Sequence, residues 1–135
     1  MLDPRRRAQA PSLIDWLGRN GASLFLSVMT IAEIDAGILK LRREAKTERA
    51  SELENLATAI LTDFHERVLP VDTDVARQVA RLGELVHRQP VSLPDLIIAA
   101  TAVHHGLVLL THNISELGRL GIAAHDPFID LPPDA

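Results

Sequence analysis

The sequence predicts an α/β fold in which a mostly parallel sheet is flanked by helices. Three observations predict it. Short apolar runs at Leu24–Val28, Val68–Val71 and Leu107–Leu110 have the length and composition of buried strands. Between them lie longer stretches with apolar residues at helical spacing. The two kinds alternate along the chain, the pattern of βα units rather than of a bundle or a sandwich of hairpins. The length of 135 residues suits a single domain spanning 1–135.

Taken in order, Pro11 opens a short amphipathic helix carrying Leu13, Ile14 and Leu17, which Gly18–Gly21 ends. Leu24–Val28 is the first strand. From Ile31 the period changes, with Ile31, Ile34, Ile38 and Leu41 on one helical face and Lys40, Arg42 and Arg43 at its end. A longer helix runs from Ala50 to Phe64, and Val68–Val71 follows as a strand that Pro70 places at an edge or an end. Asp72 can cap a helix bearing Val75, Val79, Leu82, Leu85 and Val86. After a turn at Gln89–Pro90, the segment Leu96–Val103 is apolar all round, which predicts a central buried helix stopped at His104–Gly106. Leu107–Leu110 is the clearest parallel strand, followed by a brief helix at Ile114–Leu120, a weak strand near Ala123 and a proline-rich tail.

Composition excludes several function classes. With 14 basic against 18 acidic residues the net charge is −4, which argues against a generally basic nucleic-acid reader. One Trp, three Phe and no Tyr argue against base stacking on an aromatic platform. The absence of Cys removes disulfides, thiolate nucleophiles and cysteine zinc sites. No apolar run has membrane-spanning length and the N-terminus lacks a signal-peptide segment, so a cytoplasmic protein without membrane contact is expected.

Three acids recur in one local setting. Thr30–Glu33, Ser92–Asp95 and Asn113–Glu116 each put a capping residue three positions before a carboxylate at a helix start. One reading is that all three are capping boxes. The other takes them together. Glu33 and Glu116 follow predicted strand ends, and Asp95 starts a helix returning to that edge, where open parallel sheets bind ligands. Carboxylates converging there need a cation, and a set without Cys or His suits Mg²⁺ or Mn²⁺. Such ions activate water and clamp phosphate oxygens, so phosphodiester hydrolysis is a natural chemistry.

The segment LFLSVMTIAEIDAGI resembles the second acidic motif of PIN-domain nucleases, in particular VapC-type toxins and their FitB-like relatives. VSLPDLIIAATAVHHGLVLLTHNISEL resembles their third and fourth motifs in order and spacing, and RVLPVD resembles the intervening strand. The resemblance covers about Leu24 to Pro127. It implies a PIN-like three-layer sandwich and a Mg²⁺-dependent endoribonuclease, the toxin of a VapBC-type toxin–antitoxin pair. It further implies an RNA substrate, a cognate antitoxin and a homodimer. Asp95 then corresponds to a direct metal ligand, with Glu33 and Glu116 in the metal or water shell and Thr111 and Asn113 shaping the strand end. His112, between them, is either a phosphate contact or a plain loop residue. Two departures accompany the likeness. Glu116 stands where the family usually has Asp, and the family's first, central strand with its Asp-ended motif has no counterpart, Asp3 being no substitute. The alternative function is therefore a catalytically incomplete binding module that keeps antitoxin or dimer contacts.

Other residues carry blander expectations. His104 and His105 suit charge compensation at a helix end, while His65, His87 and His125 read as isolated surface residues. Arg5–Arg7 and Arg42–Arg43 suit a solvated face or an acidic partner as well as phosphate. Trp16 reads as packing in a core or a dimer.

Overall fold

A computed structural model describes residues 13 and 15–134. Pro11, Ile14, Asp3 and the Arg5–Arg7 run, which entered the expectations above, lie outside the described residues. The chain forms two compact units, one of Phe25–Val71 and one of the segments before and after it.

In the Phe25–Val71 unit, strand β1 (Leu26–Ser27) pairs in parallel with β2 (Val68–Leu69), Leu26 against Val68 and Ser27 against Leu69. β2 stops before Pro70, which has no N–H to extend the ladder. The connection consists of helices α2 (Val28–Arg43) and α3 (Thr47–Phe64). They meet along Ile38, Ala50 and Ala57, with Ile34, Leu41 and Leu53 packed at the margin. Ala50 is wholly buried, so the helices approach closely where its side chain is small. α2 ends in a Schellman motif: Ala45 N–H donates to Arg42 O and Lys46 N–H to Leu41 O. The left-handed residue this requires is Ala45, at φ 58°.

The start of α2 corrects one expectation. The helix begins directly after the two-residue strand, and its cap is Ser27, whose Oγ accepts from Met29 N–H at 3.1 Å. Thr30 and Glu33 are therefore inside the helix and form no capping box. Ser27 has the extended backbone a cap needs, and nothing in the composition of Thr30–Glu33 distinguishes it from a cap pair.

In the other unit, α1 is helical over 15–20 and continues into a 3₁₀ turn, Gly21–Ser23. Helices α4 (Thr73–Leu85) and α5 (Leu93–His104) pack together, and strand β3 (Leu109–Leu110) pairs in parallel with β4 (Ala124–His125). The connection is α6 (Ile114–Leu117) with the 3₁₀ turn Gly118–Leu120. One apolar core joins these elements, including Val75 and Leu82 from α4, Leu96, Ala99 and Ala100 from α5, and Leu109, Leu117 and Leu120. Asp72 caps α4 as expected, its Oδ1 accepting from Val75 N–H at 2.9 Å.

β3 is shorter than the apolar run that predicts it. Gly106 sits at φ 65°, donates to Val103 O, and Leu107 N–H donates to Ala102 O. Leu107 thus closes the Schellman stop of α5 and its N–H is unavailable to a ladder. Trp16 is a core residue, 6% exposed, and its Nε1–H donates to Pro132 O at 2.8 Å. His125 is not the isolated surface residue the sequence suggests: its Nδ1 meets Asp130 Oδ2 at 2.9 Å. Among the described residues no helix is long and apolar enough to cross a membrane.

Candidate active site

Asp95 lies in the first turn of α5, three residues after its cap Ser92, whose Oγ accepts from Asp95 N–H at 3.4 Å. Pro94, also in that first turn, gives up an N–H that the helix could not have used. The Asp95 carboxylate is half-buried and faces the loop that follows β3. Thr111 N–H donates to His125 O at 2.9 Å, continuing the β3–β4 pairing by one residue. The Thr111 Oγ1 then accepts from Asn113 N–H at 3.0 Å, which turns the chain sharply into α6.

This turn delivers Asn113 to a specific place. Its Nδ2 donates to Asp95 Oδ2 at 3.0 Å and to Glu116 Oε2 at 3.1 Å. Two hydrogen bonds from one nitrogen bring the carboxylate oxygens within about 6 Å of each other, the two bond lengths end to end. One amide group thereby holds together two anions that would otherwise repel. The Asn113–Glu116 pair is accordingly not a capping box: α6 has no side-chain cap, because the Asn113 amide is engaged with the acids. Asp95 departs from the box pattern too, since its carboxylate accepts from Asn113.

Asp95, Asn113, Thr111 and Glu116 are thus gathered, with His112 exposed on the same turn. Glu33 is carried by the other unit, exposed on the second turn of α2. Among the described residues no group of three or more His, Asp or Glu side chains is close enough together to hold a metal ion. The gathered donors are hard oxygens, and Mg²⁺ binds commonly through one or two carboxylates, with waters and substrate phosphates completing its shell. The Asp95–Glu116 pair fits that requirement.

Sequence reasoning missed two features here. The bridging role of Asn113 carries no local signal, because its partner Asp95 is 18 positions away. Arg119 is tied to the site through Nε, which donates to Glu116 O at 3.4 Å. The i, i+3 spacing of Glu116 and Arg119 is the signal that could have found it.

Comparison with known proteins places the chain. The PIN domain family model matches residues 2–120, so the likeness reaches further toward the N-terminus than the motifs from Leu24 onward. The chain is 30% identical over 109 residues to toxin FitB of Neisseria gonorrhoeae, covering 79% of this chain and 77% of that protein. It is 31% identical over 108 residues to a VapC ribonuclease of Sinorhizobium fredii, covering 78% and 76%. The crystal structure of FitAcB from Neisseria gonorrhoeae superposes with a TM-score of 0.69 at 29% identity, over 85% of this chain and 84% of that one. A structure of FitAB bound to DNA gives 0.64 at 26% identity, over 95% and 87%. With acids held at the end of a parallel strand and at the start of a buried helix, and with these likenesses, the chain belongs to the PIN-domain family, among its VapC-type, FitB-like toxins.

Proposed function

We propose that this protein is a metal-dependent endoribonuclease, the toxin of a VapBC-type toxin–antitoxin pair. The observation that carries the proposal is the joining of Asp95 and Glu116 through Asn113 beside the end of β3. The likeness to a VapC ribonuclease and to toxin FitB supports RNA as substrate, and the likeness to the FitAB structures supports an antitoxin partner. A homodimer in the cytoplasm is the state proposed for it.

In this reading Asp95 would hold Mg²⁺ or Mn²⁺ directly, and Glu116 and Glu33 would belong to its metal or water shell. A divalent ion bound there supplies Lewis acidity toward a phosphodiester and an acidified water. The protein's own part is orientation. Thr111 fixes the turn, Asn113 holds both carboxylates in a set direction, and His112 offers an exposed ring to a phosphate. Carboxylates held in place beforehand would need little rearrangement to accept the cation.

The test is cleavage of single-stranded RNA with Mg²⁺, compared between the parent and Asp95→Asn. The parent is expected to cleave, EDTA to abolish cleavage, and Asp95→Asn to lose a factor of about 10² or more. Equal, Mg²⁺-dependent rates in both proteins would remove Asp95 from the site. A second reading has its own support. The Asn113 amide links the two acids by itself, a contact that a binding module without catalysis would also keep. No cleavage by either protein, with antitoxin binding intact, would favour that module.

A further inference from the structure

A groove of about 460 Å³ lies in the same unit as Asp95, lined by Leu85, Val86, His87, Arg88, Gln89 and Arg119. Its charge is opposite to that of the chain. The protein carries −4 overall, yet two arginines and a histidine line this groove and no carboxylate does. Arg119 is exposed but held in place: Nη1 donates to Gln89 O at 2.9 Å and to Gln89 Oε1 at 3.0 Å. Its Nε reaches Glu116 O, so Nη2 is left without a partner among the described residues. His87 is anchored similarly, Nδ1 lying 2.9 Å from Glu84 O, and the residue is exposed. Arg88 is exposed and makes no hydrogen bond or ion pair with a described residue. Beside these donors stands Leu85, 68% exposed, an apolar shelf at a groove edge.

We infer that this groove is a subsite for the phosphodiester backbone of single-stranded RNA, next to the Asp95–Glu116 pair. The inference rests on the nuclease reading and names a binding site for its substrate. Arginine guanidinium groups held with free N–H donors suit phosphate oxygens, and an apolar shelf suits a ribose or base face. A volume of this order takes roughly one nucleotide. Arg119 ties the groove to the acids through the chain: its Nε donates to the backbone O of Glu116, whose carboxylate shares the Asn113 amide with Asp95. That linkage favours RNA over an acidic polypeptide. A carboxylate-bearing chain leaving the groove would meet Asp95 and Glu116 directly, whereas a phosphate there can share a divalent cation with them.

The test measures RNA affinity of the full-length Asp95→Asn protein by fluorescence anisotropy. The probe is a labelled 12-nucleotide single strand of mixed sequence, titrated in Mg²⁺ at a series of KCl concentrations. Each phosphate contact on a single strand contributes about 0.7 to the slope of log affinity against log salt. Adding Arg88→Gln is expected to reduce the slope by about 0.7, and adding both Arg88→Gln and Arg119→Gln by about 1.4. Arg119→Lys, which keeps the charge, should restore most of the second loss, an outcome a purely structural role would not give. Arg88→Gln breaks no hydrogen bond or ion pair with a described residue, so its result stands even if the double variant folds poorly. Unchanged slopes with intact RNA binding would overturn the groove assignment and leave the nuclease reading standing. Unchanged RNA binding with lost binding to poly-glutamate would reassign the groove to an acidic protein. Failure of the parent to cleave RNA and of every form to bind it would overturn both readings.

Discussion

Asn113 illustrates how much one side chain can decide. Its amide holds two carboxylates, and among the described residues no other side chain donates to either of them. Replacing it by alanine leaves two like charges facing each other, and a charge-linked hydrogen bond is worth about 1.5–3 kcal/mol when fully sheltered. Asp95 is only half-buried and Glu116 is exposed, so solvent reduces this. Asn113→Ala is expected to lower unfolding stability by about 1 kcal/mol without divalent ions, measured by urea denaturation. Addition of Mg²⁺ should recover more stability in the variant than in the parent if the acids bind the ion. Two Schellman stops supply a second comparison at this scale. α5 ends on Gly106 at φ 65° and α2 ends on Ala45 at φ 58°, so only the second carries a Cβ in the left-handed region. Ala45→Gly should stabilise the protein by up to about 1 kcal/mol, and Gly106→Ala should destabilise it by a similar amount. Thermal unfolding should shift in opposite directions; a fall for Ala45→Gly would contradict this account.

Among the elements, α2 is the one whose boundary matters most, because it carries Glu33. The helix starts at Val28 under a Ser27 cap, which puts Glu33 on the second turn. The cap is testable by paired substitutions. Ser27→Ala is expected to cost about 1 kcal/mol through loss of the bond to Met29 N–H, and Thr30→Ala less than half of that. The reverse ranking in chemical denaturation would restore the Thr30–Glu33 capping box. α5 behaves as its composition predicts: Ala99, Ala100 and Thr101 are buried, and Thr101 satisfies its hydroxyl on Ile97 O at 2.8 Å. Small side chains let neighbouring elements approach its backbone, and its charged first turn remains at the edge, where Asp95 can act.

At the scale of the molecule, the C-terminal segment closes back on α1. Trp16 donates to Pro132, while Asn20 Nδ2 and the Arg19 guanidinium both reach Asp134. The hydrogen bond from Asn20, helped by Arg19, holds the Asp134 carboxyl below the ordinary aspartate range, against a smaller opposing effect of desolvation. A depressed native pKa contributes stability above the unfolded value, near pH 4, and loses it as pH falls through the native value. Asp134→Asn should therefore unfold at a slightly lower temperature than the parent at pH 7. The two curves should converge below the native pKa; a constant gap at all pH values would exclude this ionisation as the cause.

Much of this protein is determined by its sequence alone. Helix periodicity placed α2 to α5, apolar runs placed the four strands of the described residues to within a few positions, and ordered motifs identified the family. These features are legible because they arise from neighbours in the chain: the 3.6-residue period, the missing N–H of Pro70, the capping carboxylate of Asp72. Strand lengths were not legible, because Leu107 is claimed by the stop of α5 before β3 can use it. Nor was the pairing of Asp95 with Glu116, or the groove joining Arg88 to Arg119, since residues 30 positions apart, such as Gln89 and Arg119, meet only when α5 has packed against its neighbours. Local propensity selects the elements; which acids share a hydrogen-bond donor is decided by long-range packing, and that packing exists only in the folded chain.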